Sequence, residues 1–177
     1  MSLIIRKYLW LALFVFCFGN LLGQNYNIED QILNQLNYGI VDAINSENGV
    51  VILQSGDDNK LDLNQFSQGQ LAIIQQVGMD NLIKAMQNGD LNRLSILQAG
   101  DGNSIESLLQ GINISTSIHQ DGDNNSLQQE VIGNNKSFEI TQAGNDNQLE
   151  VVSGVANNGM IVTQVGTGMN VIIKSGL

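Results

Sequence analysis

The chain has 177 residues, a formal net charge of −10, no proline, one cysteine and only 5% aromatic residues. This length favours a single domain, and the composition is unusual for a globular enzyme. The acidity argues against nucleic-acid binding, because neutralising phosphates requires clustered lysine and arginine side chains.

Residues 1–23 are typical of a secretory signal peptide. Arg6 and Lys7 precede an apolar run over residues 8–18 that is too short to favour a membrane span, and a cleavage region follows before Gln24. Loss of these two positive charges takes the formal charge from −10 to −12 and leaves no cysteine. We therefore expect an exported chain without disulfides that is stabilised mainly by continuous backbone pairing.

Residues 24–47 have a different pattern from the rest of the chain. Isoleucine or leucine recurs every four residues, which fits one face of a helix, although Gly39 weakens that interpretation. The segment is either an N-terminal cap for the repeats that begin at residue 48 or a weakly ordered export or recognition segment. We favour the second interpretation because the segment is rich in Asn and Gln.

From residue 48 onward the chain repeats a Gln-x-Gly-x-x-Asn unit at steps of 11 or 22 residues. We define the stronger half-repeat as the one that starts at residues 54, 76, 98, 120, 142 and 164, where Gln is always present. The weaker half-repeat starts at 65, 87, 109, 131 and 153, where Gln is replaced by Leu109, Val131 and Ser153. Such a fixed period predicts a repeat architecture of about six units of 22 residues.

Between each Asn and the next Gln, mainly apolar residues alternate with polar ones. Leu61 and Leu63, or Leu94 and Ile96, show this period of two, which indicates a short strand with one buried face. Each half-repeat thus predicts a strand and a turn, and two halves make one coil. The fold class we predict is all-β, a β-solenoid or β-arcade of about six strand-turn-strand coils over residues 48–177 with cross-β stacking.

The turns carry the glycine of the unit. Glycine permits a positive φ, and the Asn or Asp beside it tolerates the left-handed region. The turn glycines that we single out are Gly56, Gly78, Gly89, Gly100, Gly122, Gly144 and Gly166.

The inward-facing amides need partners, because a buried unsatisfied amide costs roughly 1–3 kcal/mol. An amide at the same position in every coil can bond its equivalents along the solenoid axis as a ladder. We therefore predict a stacking ladder for self-assembly. Its glutamines are Gln54, Gln76, Gln98, Gln120, Gln142 and Gln164, and its asparagines are Asn59, Asn81, Asn103, Asn125 and Asn147.

This repeat resembles the curlin repeat of curli amyloid fibre subunits, and the resemblance covers about residues 48–177. It implies export through a dedicated outer-membrane channel with accessory proteins, and extracellular cross-β polymerisation with itself and other curlin subunits. It also implies a fibre attached to the cell surface that serves biofilm matrix and adhesion. No catalysis, cofactor, metal, nucleic acid or small-molecule substrate belongs to this interpretation.

The outward positions bear on which type of subunit this is. The middle coils place polar residues such as Ser117 and His119 outward, whereas the end coils place Val51, Ile161 and Ile172 there. Apolar residues on both faces of the end coils suggest contacts beyond the internal core. This favours the minor, surface-bound nucleator over the major subunit.

Two other interpretations compete with a fibre subunit. A soluble monomeric β-solenoid adhesin or binding protein would favour regular Thr or aromatic ladders on one outer face, and here the outward positions are mixed. A β-helix enzyme would favour clustered carboxylates in a cleft.

Aspartates in the turns of the stronger half-repeat, such as Asp57 and Asp101, could line one edge of the solenoid and bind calcium weakly. The simpler explanation is that Asp suits turns.

Overall fold

The computed structural model describes residues 48–154 and 159–176. The signal peptide and N-terminal segment predicted over residues 1–47 lie outside these described residues. No helix able to cross a membrane is found in the part of the chain that is described.

The described residues form an all-β solenoid of about six coils, and the fold class predicted from the sequence is confirmed. Its strands are β1 (Asn48–Ser55), β2 (Lys60–Phe66), β3 (Gln70–Val77), β4 (Leu82–Asn88), β5 (Arg93–Ala99), β6 (Ser104–Gln110), β7 (Ile114–Asp121), β8 (Ser126–Gln129), β9 (Lys136–Asn145), β10 (Gln148–Val152), β11 (Gly159–Thr167) and β12 (Asn170–Lys174).

The strands divide into two parallel six-stranded sheets. Sheet A has the order β1-β3-β5-β7-β9-β11, and sheet B has the order β12-β10-β8-β6-β4-β2. Partners are always 22 residues apart, as in Gln54 with Gln76 in sheet A and Gln65 with Gln87 in sheet B. Each coil therefore contributes one strand to each sheet, and we call the residues at one position of successive coils a column.

The core lies between the inward faces of the two sheets. Ile74, Ile96, Ile118 and Ile140 are buried in one column of sheet A, and sheet B contributes columns such as the one containing Ile83. Because side chains alternate between the two faces of a strand, the apolar pairs in the sequence converge on this core. At the two ends, inward residues such as Ile52 and Ile173 are only partly buried.

Pairing in sheet B is interrupted in the middle of the solenoid. Strand β8 has four residues, and β6 pairs with it only at Ser104, Ile105 and Glu106. A shallow cavity of about 300 Å³ lies on the outer face near this interruption, next to Lys84 and Glu130. Sheet A has no such interruption among its described strands.

Candidate functional site: the stacked amide and glycine columns

The glutamines of the stronger half-repeat form one continuous chain of hydrogen bonds. Each Nε2 donates to the Oε1 of the glutamine one coil further on, at 2.7–2.8 Å, from Gln54 through to Gln164. The side chains from Gln76 onward are at most 2% exposed. We call these six residues the glutamine column.

In three of these glutamines the side-chain amide also donates to the backbone. Gln120, Gln142 and Gln164 each donate from Nε2 to a backbone carbonyl 16 residues earlier in the chain, at 3.1–3.4 Å. A buried primary amide has two donor hydrogens, so both must be satisfied to avoid a desolvation cost. The glutamines thus join sheet A to the start of the sheet B strand as well as to one another.

The asparagines of the stronger half-repeat also join neighbouring coils, but through their backbone and not by the side-chain-to-side-chain bonds that the sequence predicted. Asn81 Nδ2 donates to the carbonyl of Gly100 at 2.6 Å, and its Oδ1 accepts from the backbone N–H of Asn103 at 2.9 Å. The same two bonds recur along the whole column. The asparagine side chain is one methylene shorter than glutamine, so its amide meets the backbone of the next turn.

The turn glycines are required by both conformation and space. The predicted glycines all have positive φ, from 96° at Gly89 to 153° at Gly166. At Gly100 an added Cβ would lie 2.1 Å from the carbonyl oxygen of Gly122, because the turns of successive coils stack closely. That carbonyl is also the acceptor for the asparagine of the preceding coil. Glycine therefore allows the close approach of successive turns that brings each asparagine within reach of this carbonyl. We call the asparagines of the stronger half-repeat the asparagine column.

A second set of polar turn residues links the coils, a role that the sequence did not predict. Asp101 accepts from the backbone N–H of Met79 at 2.8 Å, Asp123 accepts from Asp101 at 2.9 Å, and Asn145 accepts from Asp123 at 3.0 Å. The recurrence of Asp or Asn 22 residues apart was the available signal. Turn preference explains why these residues suit the turn, and the stacking explains why they recur in one column.

The corresponding columns of the weaker half-repeat are broken. Gln65 donates to Gln87 at 2.7 Å, and Gln87 then donates to backbone carbonyls because Leu109 follows it in the column. At the asparagine position of this half-repeat, Gln70 follows Asn48 in the column, and its Nε2 donates to the carbonyl of Gly89 at 2.6 Å. Its buried Oε1 has no hydrogen-bond partner among the described atoms.

One lysine lies where the weaker half-repeat would have an asparagine. Lys136 is only 2% exposed, and its Nζ lies 3.4 Å from Ser153 Oγ. Burial lowers the pKa of Lys136 from its ordinary value of 10.5, since desolvation disfavours the charged amine. The sequence alone predicted nothing for this residue.

Polar residues also enter the core near the interruption of sheet B. Ser107, Thr116 and Gln129 are each at most 3% exposed, on inward positions that are apolar in other coils. Their mutual hydrogen bonds are long, at 3.3 Å from Ser107 to Gln129 and 3.4 Å from Gln129 to Thr116. Three weakly bonded polar groups thus replace apolar packing in the middle of the solenoid.

The outer surface offers little that resembles a conventional site. His119 is exposed on sheet A, and within the described ranges no group of three or more His, Cys, Asp or Glu side chains is placed to hold a metal ion. Asp62, Lys84 and Glu106 occupy one outward column of sheet B in adjacent strands. The most extensive hydrogen-bonded arrangement in the described residues is therefore the set of columns that runs along the solenoid.

These columns repeat a donor and an acceptor at every coil along one axis. Such an array is suited to binding a further coil of the same kind, because the same groups recur in the same register. In comparisons with known proteins, no family model, no curated protein and no solved structure matches the chain.

Proposed function

We propose that this chain is a secreted structural subunit that polymerises into a curli-type amyloid fibre, by stacking the first coil of one copy on the last coil of another. The observation that carries the proposal is the glutamine column, which passes without a break through all six coils and includes both end coils. A side-chain ladder of this kind extends readily into the next copy, since each new coil meets the same pair of groups.

The two ends of the glutamine column complement each other. Every glutamine donates towards the C-terminal end, so Gln54 presents an oxygen that accepts from no other glutamine of the described coils. At the other end, Gln164 Nε2 donates to the carbonyls of Gln148 and Met169 at 3.1 and 3.0 Å. Stacking would let Gln164 donate to Gln54 of the next copy. The polymer would therefore be polar, with all copies oriented alike.

The end coils also leave strand edges and apolar groups to be covered. Among the described strands, β1 and β2 at one end and β11 and β12 at the other pair on one side only. Inward residues of these coils, such as Leu61, Leu63 and Val171, are only partly buried. Unpaired edges with apolar neighbours are templates for further strands. A second copy in register would bury both sets of groups.

The outer surface of the C-terminal coil supports the nucleator type of subunit over the major type. Ile161 and Ile172 are 77% and 59% exposed on sheets A and B, where middle coils carry Ser117 and Gln128. Exposed apolar residues of this kind suit attachment to a surface or to another curlin subunit. Export by the family's channel and accessory proteins, and a biofilm and adhesion role, belong to the same proposal.

The proposal is tested by assembly of the chain without its predicted signal peptide. After dilution from denaturant, dye fluorescence follows assembly, and fibre diffraction should show a meridional reflection near 4.7–4.8 Å. A stable β-rich monomer without fibres would overturn the proposal in favour of a soluble solenoid adhesin. Seeding of a second curlin at substoichiometric amounts would support the nucleator type, and its absence would favour the major subunit.

The role of the glutamine column in growth has its own test. Replacement of Gln76 and Gln98 by Leu should slow nucleation and elongation, because both side chains lie inside the ladder. Gln75 is exposed on the outer face of the same strand and provides the matched control, so Gln75→Leu should leave the kinetics unchanged. Equal kinetics for all three proteins would contradict the ladder argument.

A further inference from the structure

The asparagine column ends in a methionine. Asn59, Asn81, Asn103, Asn125 and Asn147 occupy five successive coils, and Met169 occupies the sixth. The backbone N–H of Met169 still donates to Asn147 Oδ1 at 3.1 Å, so the methionine receives the link from the coil before it. Its side chain has no amide with which to pass the two asparagine bonds to a further coil.

The methionine side chain also occupies space that the next coil would need. Its sulfur lies 2.7 Å from the point where a Cβ on Gly166 would stand. At Gly122 and Gly144 the equivalent space is filled by the carbonyl oxygen of the next turn glycine, at 2.1 and 1.9 Å. Gly166 also has a φ of 153°, whereas Gly122 and Gly144 both have 107°. Met169 thus covers the place where a seventh coil would stack.

The inward columns of the C-terminal coil keep the pattern of the internal coils. Gln164 continues the glutamine column, and Val162, Val171 and Ile173 continue the inward apolar columns. At the opposite end of the solenoid, the first coil retains both Gly56 and Asn59, with Gly56 stacked on Gly78 as in the interior. Among the glutamine, turn-glycine and asparagine columns of the two end coils, Met169 is therefore the one departure in residue type.

We propose that Met169 is a brake on self-assembly at the C-terminal face: the first coil of a second copy must displace its side chain, and the resulting junction lacks the two asparagine hydrogen bonds that join every pair of internal coils. This inference rests on the proposed end-to-end polymerisation. Its consequence is that junctions between subunits are the weakest interfaces of the fibre, so fibres break there and regrow from those breaks.

The test compares two substitutions at Met169 in the exported chain. Met169→Asn restores both hydrogen bonds and removes the cover, so the monomer concentration at equilibrium with fibres should fall about ten-fold. Met169→Ala removes only the cover, so elongation should be faster than wild type while the equilibrium concentration falls less than with Asn. Met79 is also in a turn and is 48% exposed, and Met79→Ala should behave as wild type.

The outcomes separate this inference from the proposed function. If the wild type forms fibres and both Met169 variants match it in rate and equilibrium concentration, the brake is wrong and the polymerisation proposal stands. If the wild type stays monomeric and Met169→Asn polymerises, the brake is supported and the wild-type chain alone is not a fibre former. If neither protein polymerises, both proposals fail. Urea unfolding of each monomer checks that the substitutions leave the solenoid folded.

Discussion

Sheets A and B are built from the same repeat, yet only sheet A is continuous. Every neighbouring pair of strands in sheet A is in register over at least seven residues, whereas β6 and β8 of sheet B share three. Sheet A carries the unbroken glutamine column, while the equivalent column of the weaker half-repeat changes to Leu109, Val131 and Ser153. Continuous pairing and continuous side-chain ladders thus occur together.

The two sheets show which half of the repeat specifies the register between coils. The glutamine amides can bond to one another only when equivalent residues of successive coils are aligned. A shift in the register of sheet A would therefore leave buried amides without partners, at a cost in stability. Apolar residues such as Leu109 and Val131 pack without that directional demand. Sheet B therefore tolerates the buried polar residues Ser107 and Gln129 and the short strand β8.

The largest loss of stability is expected where the turns of the stronger half-repeat stack closely on one another. Gly100→Ala should lower the free energy of unfolding by about 4 kcal/mol, since positive φ and contact with the Gly122 carbonyl both oppose a Cβ. Gly168 has a φ of 66° but no atom within 4 Å of the position that an added methyl group would take, so Gly168→Ala should cost only about 1–2 kcal/mol. Equal losses in urea unfolding would show that stacking space is not the limiting factor.

The second prediction compares substitutions in the continuous glutamine column of sheet A and in the broken glutamine column of the weaker half-repeat. Gln98→Leu leaves the buried Gln76 Nε2 and Gln120 Oε1 without their partner, and it should cost about 3 kcal/mol of unfolding free energy. Gln87→Leu removes the end of a two-residue ladder and should cost about 1 kcal/mol, because only Gln65 loses a ladder partner. The ranking would be contradicted by an equal or larger loss for Gln87→Leu.

A smaller gain in stability is expected from a substitution that restores the asparagine of the weaker half-repeat. Gln70→Asn shortens the side chain to the length used throughout the stronger half-repeat, where the asparagine oxygen accepts from the next coil's backbone. The orphaned Gln70 Oε1 would be replaced by an acceptor for the Asn92 N–H, which should raise the unfolding free energy by about 1 kcal/mol. Exposed Gln75→Asn makes the same chemical change and should have no effect; a loss of stability at residue 70 would contradict the repair.

The smallest effect is a dependence on pH from the buried lysine. Because burial lowers the pKa of Lys136 below 10.5, the unfolded chain binds more protons than the folded chain between the two pKa values. Unfolding free energy should therefore rise with pH across that window, and Lys136→Asn should remove this rise. Lys174→Asn, at an exposed position, should retain it; identical pH profiles for wild type and Lys136→Asn would exclude the effect.

Much of the fold and part of the candidate site follow from spacing alone. The 22-residue period, the alternation of Ile and Leu, and the recurrent glycine are local patterns, and they predicted the coils, the buried faces and the positive-φ turns. The glutamine chain from Gln54 to Gln164 has the side-chain partners that the sequence predicted. Asn81 bonds to Asn59 and Asn103 as predicted, but through backbone N–H groups, and its own Nδ2 donates to the carbonyl of Gly100. The sequence does not show which backbone groups lie within reach of a short amide.

The repeat, its two unequal halves and the identity of the stacked residues can all be read from the sequence, because a fixed period brings equivalent residues into the same column. The contacts across a coil and at the ends of the solenoid, in contrast, are visible only in the folded chain. The burial of Lys136 beside Ser153, the gap between β6 and β8, and the position of Met169 over Gly166 depend on contacts between residues at different positions of the repeat. Periodicity describes each column separately, and such contacts between columns require the packed solenoid.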